Sequence, residues 1–379
     1  MSGFWSDLAR FARAGETVAV ATVVAARGST PRGVGARMIV RANGDIVGSV
    51  GGGCGEARVF WEAARVLAEG GARLAEVDLT GELSDESATH CGGIMEVLVD
   101  RASWEGDQGC GLSYRQVVEA VEHAAAARAT LAVATVVADT AGPGGLPAGS
   151  KWLVGADGSC RGRGPAGFAA ALGDAGAAAI ARGGGHRLWL ASSAGGWRTD
   201  PERRGLGLFL DIVPPPPALI VVGAGHIGQP VAEIGRLLDF HVTVVDDRPA
   251  FANPERFPGA DRLATGDVAT TLAGLTIDAS TWIVLVTRGH QHDEAALQAV
   301  IGSDAAYVGM IGSRRRVREV FRHLSDAGVP KERLARVRAP IGLAIGAETP
   351  AEIAVAIAAE LVQARRRAAA PAAPRARAG

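Results

Sequence analysis

Two apolar runs in this chain are nearly the same run. Thr17–Val24 reads TVAVATVV and Thr130–Val137 reads TLAVATVV, matching at seven of eight positions. After one inserted residue the likeness resumes, with Gly35–Gly48 (GARMIVRANGDIVG) answering Gly149–Gly162 (GSKWLVGADGSCRG). Each copy carries an Asn43-Gly44 or Asp157-Gly158 pair between its strand-like runs, and such pairs favour tight hairpin turns. An Ala-rich helical stretch follows, and each copy closes on a strand, Ile94–Val99 in one and Leu208–Val213 in the other. The pattern predicts one duplicated α+β sheet domain over residues 1–213, with copies at about 17–100 and 130–213.

Pro214-Pro215-Pro216-Pro217 has fixed φ and no N–H donors, so residues 214–217 read as a stiff, extended linker. Beyond it the texture changes. Ala218–Val222, His241–Val245, Trp282–Thr287 and Ala306–Ile311 are short apolar runs of the kind that form parallel strands buried on both faces. Thr349-Pro350-Ala351-Glu352 has capping-box spacing, with proline at the first helical position, and opens the final helix. The fold class expected is therefore α/β: the duplicated sheet domain, then a Rossmann-like doubly wound parallel sheet over 218–367. Ala368–Gly379 (AAAPAAPRARAG) is low in complexity and is expected to be disordered.

Composition narrows the classes. A length of 379 residues with 48% hydrophobic content suits more than one core. A formal charge of −1 supplies no global basic field, so no nucleic-acid partner is expected. Neither a signal-peptide plan over Met1–Arg10 nor a membrane-length apolar run is present, so no membrane association is expected. Cysteines at 54, 91, 110 and 160 do not form a disulfide framework in a chain this long, which points to a reducing cytoplasm.

The second domain carries the more readable chemistry. Gly223-Ala224-Gly225-His226-Ile227-Gly228 follows a buried strand and opens a helix, and Asp246 closes the next strand 23 positions after Gly223. That context is a dinucleotide fingerprint. Gly223 allows the turn, Gly225 the close approach of a pyrophosphate, and Gly228 the packing of helix on sheet. Asp246 is placed to accept ribose hydroxyls, with Arg248 nearby and His226 lining the crevice. Alternatively the glycines serve packing alone. Gly312-Ser313-Arg314-Arg315-Arg316 puts cations at a helix start, against the macrodipole, so Ser313 and Arg314 read either as an anion site or as a solvated cationic helix. His290, His292 and Asp293 follow the third strand and read either as a site wall or as helix-start punctuation.

In the first copy, Gly51-Gly52-Gly53-Cys54-Gly55-Glu56 leaves a strand for a helix. Three consecutive glycines are entropically costly and suit a backbone nest for an anion. Cys54 at a helix start favours its thiolate, which suits a soft metal or sulfur transfer; the plainer reading is a small buried residue beside a bend. Cys91 lies in His90-Cys91-Gly92-Gly93, and a zinc site from Cys54, His90 and Cys91 lacks paired-ligand spacing. Arg32, after Ser29-Thr30-Pro31, offers a guanidinium to an oxyanion or faces solvent. Glu56 reads as a base or as a helix-start carboxylate. The second copy has lost all these residues, which assigns chemistry to the first copy and scaffolding to the second. Cys110 and Cys160 read as inert.

The series Gly28-Ser29-Thr30-Pro31-Arg32, Gly51–Glu56 and Cys91-Gly92-Gly93 resembles the N-terminal domain of the XdhC/CoxI family, the xanthine dehydrogenase accessory factors. Val222–Gly228, Val245–Arg248, Thr287–Asp293, Tyr307–Arg316 and Ala339–Ala354 (APIGLAIGAETPAEIA) look like that family's Rossmann domain. Thr287-Arg288-Gly289-His290 is more similar to the CoxI branch, associated with carbon monoxide dehydrogenase-type enzymes. Ala344 departs from the family pattern, where a polar residue is expected. The resemblance implies a cofactor chaperone more than a turnover enzyme. Such a protein binds molybdenum cofactor (molybdopterin or its cytosine dinucleotide), assists its sulfuration and passes it to an apo-molybdenum hydroxylase. It implies a cysteine desulfurase as partner, a homodimer, and Cys54, Cys91 and Glu56 as the chemistry-bearing set, with Cys54 against molybdenum. The glycine-cysteine loop would address the metal end while the Rossmann crevice holds the dinucleotide portion. The competing expectations are an NAD-dependent oxidoreductase, with NAD(P) as the cofactor of the crevice, and a redox or scaffold protein that only recruits a desulfurase.

Overall fold

The computed structural model of the chain describes residues 3–79, 92–102, 104, 110–139, 145–183, 185–193 and 196–369. Two compact units divide it, Met1–Pro215 and Pro216–Gly379.

The first unit opens with α1 (Gly3–Ala14), β1 (Val18–Arg27), β2 (Arg37–Arg41), β3 (Ile46–Gly48), α2 (Gly53–Glu69), β4 (Ala72–Asp78) and β5 (Ile94–Ala102). It continues with α3 (Tyr114–Ala126), β6 (Leu131–Asp139), β7 (Lys151–Gly155), β8 (Cys160–Arg161), α4 (Phe168–Arg182), β9 (His186–Ser193), β10 (Gly196–Thr199) and β11 (Leu206–Val213). One sheet runs β3-β2-β1-β5-β4 and the other β8-β7-β6-β11-β9-β10, so the second has the order of the first with β10 added. Both α1 and α3 directly precede the matching strand, so the spatial repeat begins a helix earlier than the sequence likeness does.

Period-two alternation explains the layering. Ala19, Ala21 and Val23 of β1 share a core with Val59, Ala63 and Val66 of α2. The intervening Val18 and Val20 pack with α1, α3 and with Val133 and Leu153 of the second sheet. Val24 and Leu98 meet Val137 and Phe209 in the same seam. On the far side, Ala132, Ala134 and Val136 join Leu172 and Ala179 of α4. The unit is thus helix, sheet, sheet, helix, with each sheet buried on both faces.

Four charged side chains interrupt that apolar seam. Thr22 pairs in register with Arg37, and Val20 with Asp100. In the second sheet Thr135 pairs with Lys151, and Val133 with Asp211. Each copy's cation bonds the other copy's carboxylate: Arg37 to Asp211, and Lys151 to Asp100. The Tyr114 hydroxyl donates to Asp100 Oδ2 at 2.7 Å.

The second unit contains β12 (Ala218–Val222), α5 (Gly228–Leu237), β13 (His241–Asp246), β14 (Arg262–Thr265), α6 (Val268–Ala273), β15 (Thr281–Leu285), α7 (His290–Val300), β16 (Tyr307–Met310), α8 (Arg314–Asp326), α9 (Lys331–Leu334) and α10 (Pro350–Ala369). Its parallel sheet has the order β14-β13-β12-β15-β16. Val231, Ala232, Ile357 and Leu361 of α5 and α10 cover one face. Leu272, Leu297 and Val320 of α6, α7 and α8 cover the other. This is a Rossmann fold, α/β and doubly wound. Its fifth strand, β14, was not expected from sequence; RLAT is short and half solvated at the sheet edge, so it carries no buried-strand pattern. Helix α10 runs through Ala369, so the first two residues of the expected disordered tail are helical, and 370–379 lie outside the described residues. Among the described residues no helix is long and apolar enough to cross a membrane.

Candidate functional site

At one end of the first sheet, three segments of the first copy converge. The β1–β5 register ends on Arg27 opposite Ile94, which sets Gly28 beside Gly93. Their approach leaves no space for side chains. A Cβ on Gly28 would stand 2.8 Å from the Gly92 carbonyl oxygen, and one on Gly93 would stand 2.5 Å from that of Ser29. The third segment joins through Gly51, whose φ of 146° and a Cβ position 2.5 Å from Pro31 Cγ both require glycine. Gly52 and Gly53 continue at φ 78° and 62°, so three successive residues hold positive φ. Gly51, Gly52, Gly53, Ser29 and Arg32 are thereby brought together.

The nest expected for a ligand is partly filled by the protein's own carboxylate. Glu56 Oε2 accepts the Gly52 N–H at 2.9 Å and the Ser49 hydroxyl at 2.7 Å, and Ser49 Oγ accepts the Gly51 N–H at 3.1 Å. Burial pushes the Glu56 carboxyl up, but hydrogen bonds from Ser49 and the N–H groups of Gly52, Gly51 and Val50 outweigh it and hold the group below its usual range. Glu56 is thus ionised and braces the turn; held this way it is a poor proton acceptor near neutrality. Gly55 has a packing reason. A Cβ there would stand 3.0 Å from Val77 Cγ1 and 3.2 Å from Leu79 Cδ2, so α2 sits tightly on β4.

What remains open is the outer rim. Ser29, Arg32 and Gly53 are exposed, Arg32 makes no ion pair with a described residue, and no described atom stands within 4 Å of a Cβ placed on Gly52. Cys54 is the second residue of α2. Its side chain, together with His90 and Cys91, lies outside the described residues, and among those described no cluster of His, Cys, Asp or Glu could hold a metal ion. In the second copy the corresponding helix opens instead with Phe168, which is fully buried and edge-packed between Trp152 and Trp197 at centroid distances of 5.0 and 5.2 Å. Aromatic rings fill that place. Cys110 lies 3.5 Å from Ser150 Oγ, and burial raises the Cys160 thiol, which suits an inert residue.

The second unit has its own concave edge, at the carboxyl ends of β12, β13 and β15. Gly223 (φ 111°) lies so close to β15 that a Cβ would stand 2.5 Å from the Val286 carbonyl oxygen, and Gly228 backs onto the Gly223 carbonyl. Gly225 differs. It has neither a positive φ nor any described atom within 4 Å of a Cβ position, so packing among the described residues does not demand glycine there. Helix α5 starts without a side-chain cap, and His226 is exposed on the turn.

Asp246 is not turned outward to a sugar in this structure. It is 4% exposed, and its Oδ2 accepts the Ala224 N–H at 2.7 Å and Arg248 Nη2 at 3.0 Å. Oδ1 accepts the Arg248 N–H at 3.0 Å and Nε at 2.9 Å. Burial raises the Asp246 carboxyl, but the Arg248 side chain and the two N–H groups prevail and hold it at about 2. A carboxyl depressed in the folded state contributes stability above its unfolded value, and that contribution disappears as pH falls through the folded value. Denaturation of the chain at pH 5 and pH 2.5 is expected to show an acid loss of up to roughly 2 kcal/mol in the second unit. The Asp246 share of that loss should be missing in Asp246→Asn, leaving the acid losses of Asp267 and Glu352, which hydrogen bonds also hold below their usual range; an equal loss in both chains would count against the brace.

The basic helix start also resolves. Ser313 caps α8, accepting the Arg316 N–H at 3.3 Å. Arg314 is exposed, Arg315 bonds Glu319 at 3.2 Å, and Arg316, three residues into the turn, swings inward to Asp293. Asp293 is fully buried, and the Thr287 hydroxyl also donates to it. The cation that turns inward is therefore Arg316, while Arg314, the candidate for an anion, stays exposed. His290 begins α7, and its side chain lies outside the described residues. Sequence reasoning also missed Arg256, which donates to the Ala224 carbonyl at 3.2 Å and shares Phe251 with Arg248.

Comparison with known proteins places this arrangement. Residues 11–78 match the XdhC and CoxI family, and residues 219–361 match the XdhC Rossmann domain. A Bacillus subtilis protein described as a probable xanthine dehydrogenase subunit is 27% identical over 93% of this chain and 94% of its own length. The uncharacterized Escherichia coli protein YqeB is 26% identical over 91% of this chain, which spans only 43% of that protein. A crystal structure described as a xanthine dehydrogenase from Bacillus halodurans superposes with a TM-score of 0.77 over 98% of both chains, at 24% identity, and shows the shared fold. Both units of this molecule thus carry matches to one family, in the order in which the chain presents them. The chain belongs to the XdhC and CoxI family.

Proposed function

We propose that this chain is an accessory factor for a molybdenum hydroxylase of the xanthine dehydrogenase or carbon monoxide dehydrogenase type. It binds the molybdenum cofactor, assists its sulfuration and delivers it to the apo-enzyme, with a cysteine desulfurase as sulfur source. A cytoplasmic homodimer is the working form. The observation that carries this reading is the convergence of Gly28–Arg32, Gly51–Glu56 and Gly92-Gly93 at one end of the first sheet, in one copy only.

The rim fits an anionic, sulfur-rich group. Arg32 offers phosphate a guanidinium that makes no ion pair with a described residue, and Ser29 offers a hydroxyl. A cysteine at position 54 is by residue type a soft donor suited to molybdenum. The chemistry that the cofactor supplies is a molybdenum centre able to take a terminal sulfur. Glu56 holds the glycine turn, and the aromatic-filled second copy acts as scaffold. The Rossmann crevice serves as a nucleotide site, for the dinucleotide form of the cofactor or for NAD(P), and Gly225 supports that use because packing does not require it.

The test is co-production with the cofactor pathway, followed by molybdenum and pterin analysis of the purified chain. Both should accompany the wild type and fall on the order of tenfold or more in Cys54→Ala. Equal loading of the two chains, or none in the wild type, would remove this reading. An NADH titration addresses the oxidoreductase alternative, which requires turnover as well as binding.

A further inference from the structure

We infer that Asp247, not Asp246, is the carboxylate that reads ribose hydroxyls in the Rossmann crevice, and that Arg288 is a latch occupying it until a nucleotide arrives. The inference rests on the nucleotide reading of that crevice and specifies which groups select the ligand.

The fingerprint rule assigns the sugar to the acidic residue at the end of the second strand. Here that residue, Asp246, is buried and accepts four hydrogen bonds from Ala224 and Arg248. A carboxylate has roughly four good acceptor positions, so Asp246 has none left for a diol. Its neighbour stands differently. The Asp247 side chain is 31% exposed and lines the crevice with Gly223, Thr287, Arg288 and His292. Its Oδ2 accepts Arg288 Nη2 at 2.7 Å, and its Oδ1 lies 3.7 Å from Arg248 Nε.

The crevice as it stands is narrow. Its cavity is only about 10 Å³, room for at most one water. Among its described walls, Gly223, Val245 and Asp246 are buried and fixed by the sheet, whereas the Arg288 side chain is 50% exposed and its one ion pair is to Asp247. An exposed pair of this kind is weak. Two vicinal hydroxyls can donate to the same carboxylate, so a ribose diol can take the place of the guanidinium. A 2′-phosphate would instead bring negative charge against Asp247. The ligand class is therefore a nucleotide with free 2′ and 3′ hydroxyls.

Members of one ion pair should then act in opposite directions, which a purely structural pair would not do. With the full chain, calorimetric titration of ADP-ribose is expected to tighten about two- to fivefold in Arg288→Gln, because the competing cation is gone. Binding should weaken about 10–100-fold in Asp247→Ala, and 2′-phospho-ADP-ribose should bind the wild type less well than ADP-ribose. Thermal midpoints within a few degrees of wild type establish that both variants fold. Weakening in both variants, no change in Asp247→Ala, or a preference for the 2′-phosphate would overturn the inference while leaving a nucleotide site in place. No binding of either probe to any of the three chains would remove the nucleotide reading itself, and the inference with it.

Discussion

A Lys151→Met chain is expected to lose about 3–5 kcal/mol of stability, the cost of leaving one partner of a buried ion pair uncompensated. Lys151 and Asp100 are each 5% exposed, so loss of the ammonium leaves the Asp100 carboxylate largely desolvated. Tyr114 donates the remaining bond to Asp100. Burial and the negative charge of Asp100 push its hydroxyl well above the usual phenol range, so it stays a donor at any working pH. The expected drop in the thermal midpoint of the full chain is of the order of 10 °C. The triple variant Asp100→Leu, Lys151→Met, Tyr114→Phe should recover most of it, since apolar residues of similar size replace a buried ionic group at little net cost. Arg37→Met should cost less, because Arg37 and Asp211 retain 13% and 17% exposure. A Lys151→Met chain as stable as the wild type would show that the pair does not bind the two sheets together.

That ion-pair seam marks where sequence reading stopped. Arg37 and Lys151 occupy equivalent places in the repeated segment, two residues after Gly35 and Gly149, and this was visible in the letters. What the letters did not show is that two buried faces meet, since a lone cation in an alternating strand reads as solvent-facing. The same limit applies in the second unit. Gly223, Gly225, Gly228 and Asp246 announced a Rossmann turn, because turn geometry is local and is written in glycine spacing. Which of Asp246, Asp247 and Arg248 turns inward depends on side-chain direction at a strand end, which spacing does not encode. Ser313 was legible as a helix start, yet the choice of Arg316 over Arg314 depends on Asp293 being supplied by a distant helix. The three glycine segments of the first copy were separately legible. Their meeting follows from the β1–β5 register, a long-range pairing, and the occupation of the nest by Glu56 follows from helix geometry once α2 is in place.

Gly93→Ala tests whether that meeting point is the working part of the molecule. An added methyl group would stand 2.5 Å from the Ser29 carbonyl oxygen, 2.7 Å from that of Arg27 and 2.8 Å from Thr30 Cγ2. Two of these three atoms are backbone and cannot swing aside, so the loop bearing Ser29 and Arg32 must move away from the strand. Overpacking of this kind costs about 1–3 kcal/mol, and a displacement of about 1 Å at a binding constellation costs on the order of a hundredfold in what the constellation does. Cofactor loading of the co-produced chain is therefore expected to collapse while the chain remains folded. Gly15→Ala is the matched control. Gly15 has φ 66° and nothing within 4 Å of its Cβ position, so alanine there introduces backbone strain without a clash. It also precedes β1, whereas Gly28 follows it, so roughly 30 Å of strand separates the control from the site. Loss of loading in Gly93→Ala with retention in Gly15→Ala would tie the cofactor to the convergence of the three segments. Equal loading in both would place the cofactor elsewhere on the chain, because no ligand seated among Ser29, Arg32 and Gly52 could ignore a wedge driven beneath them.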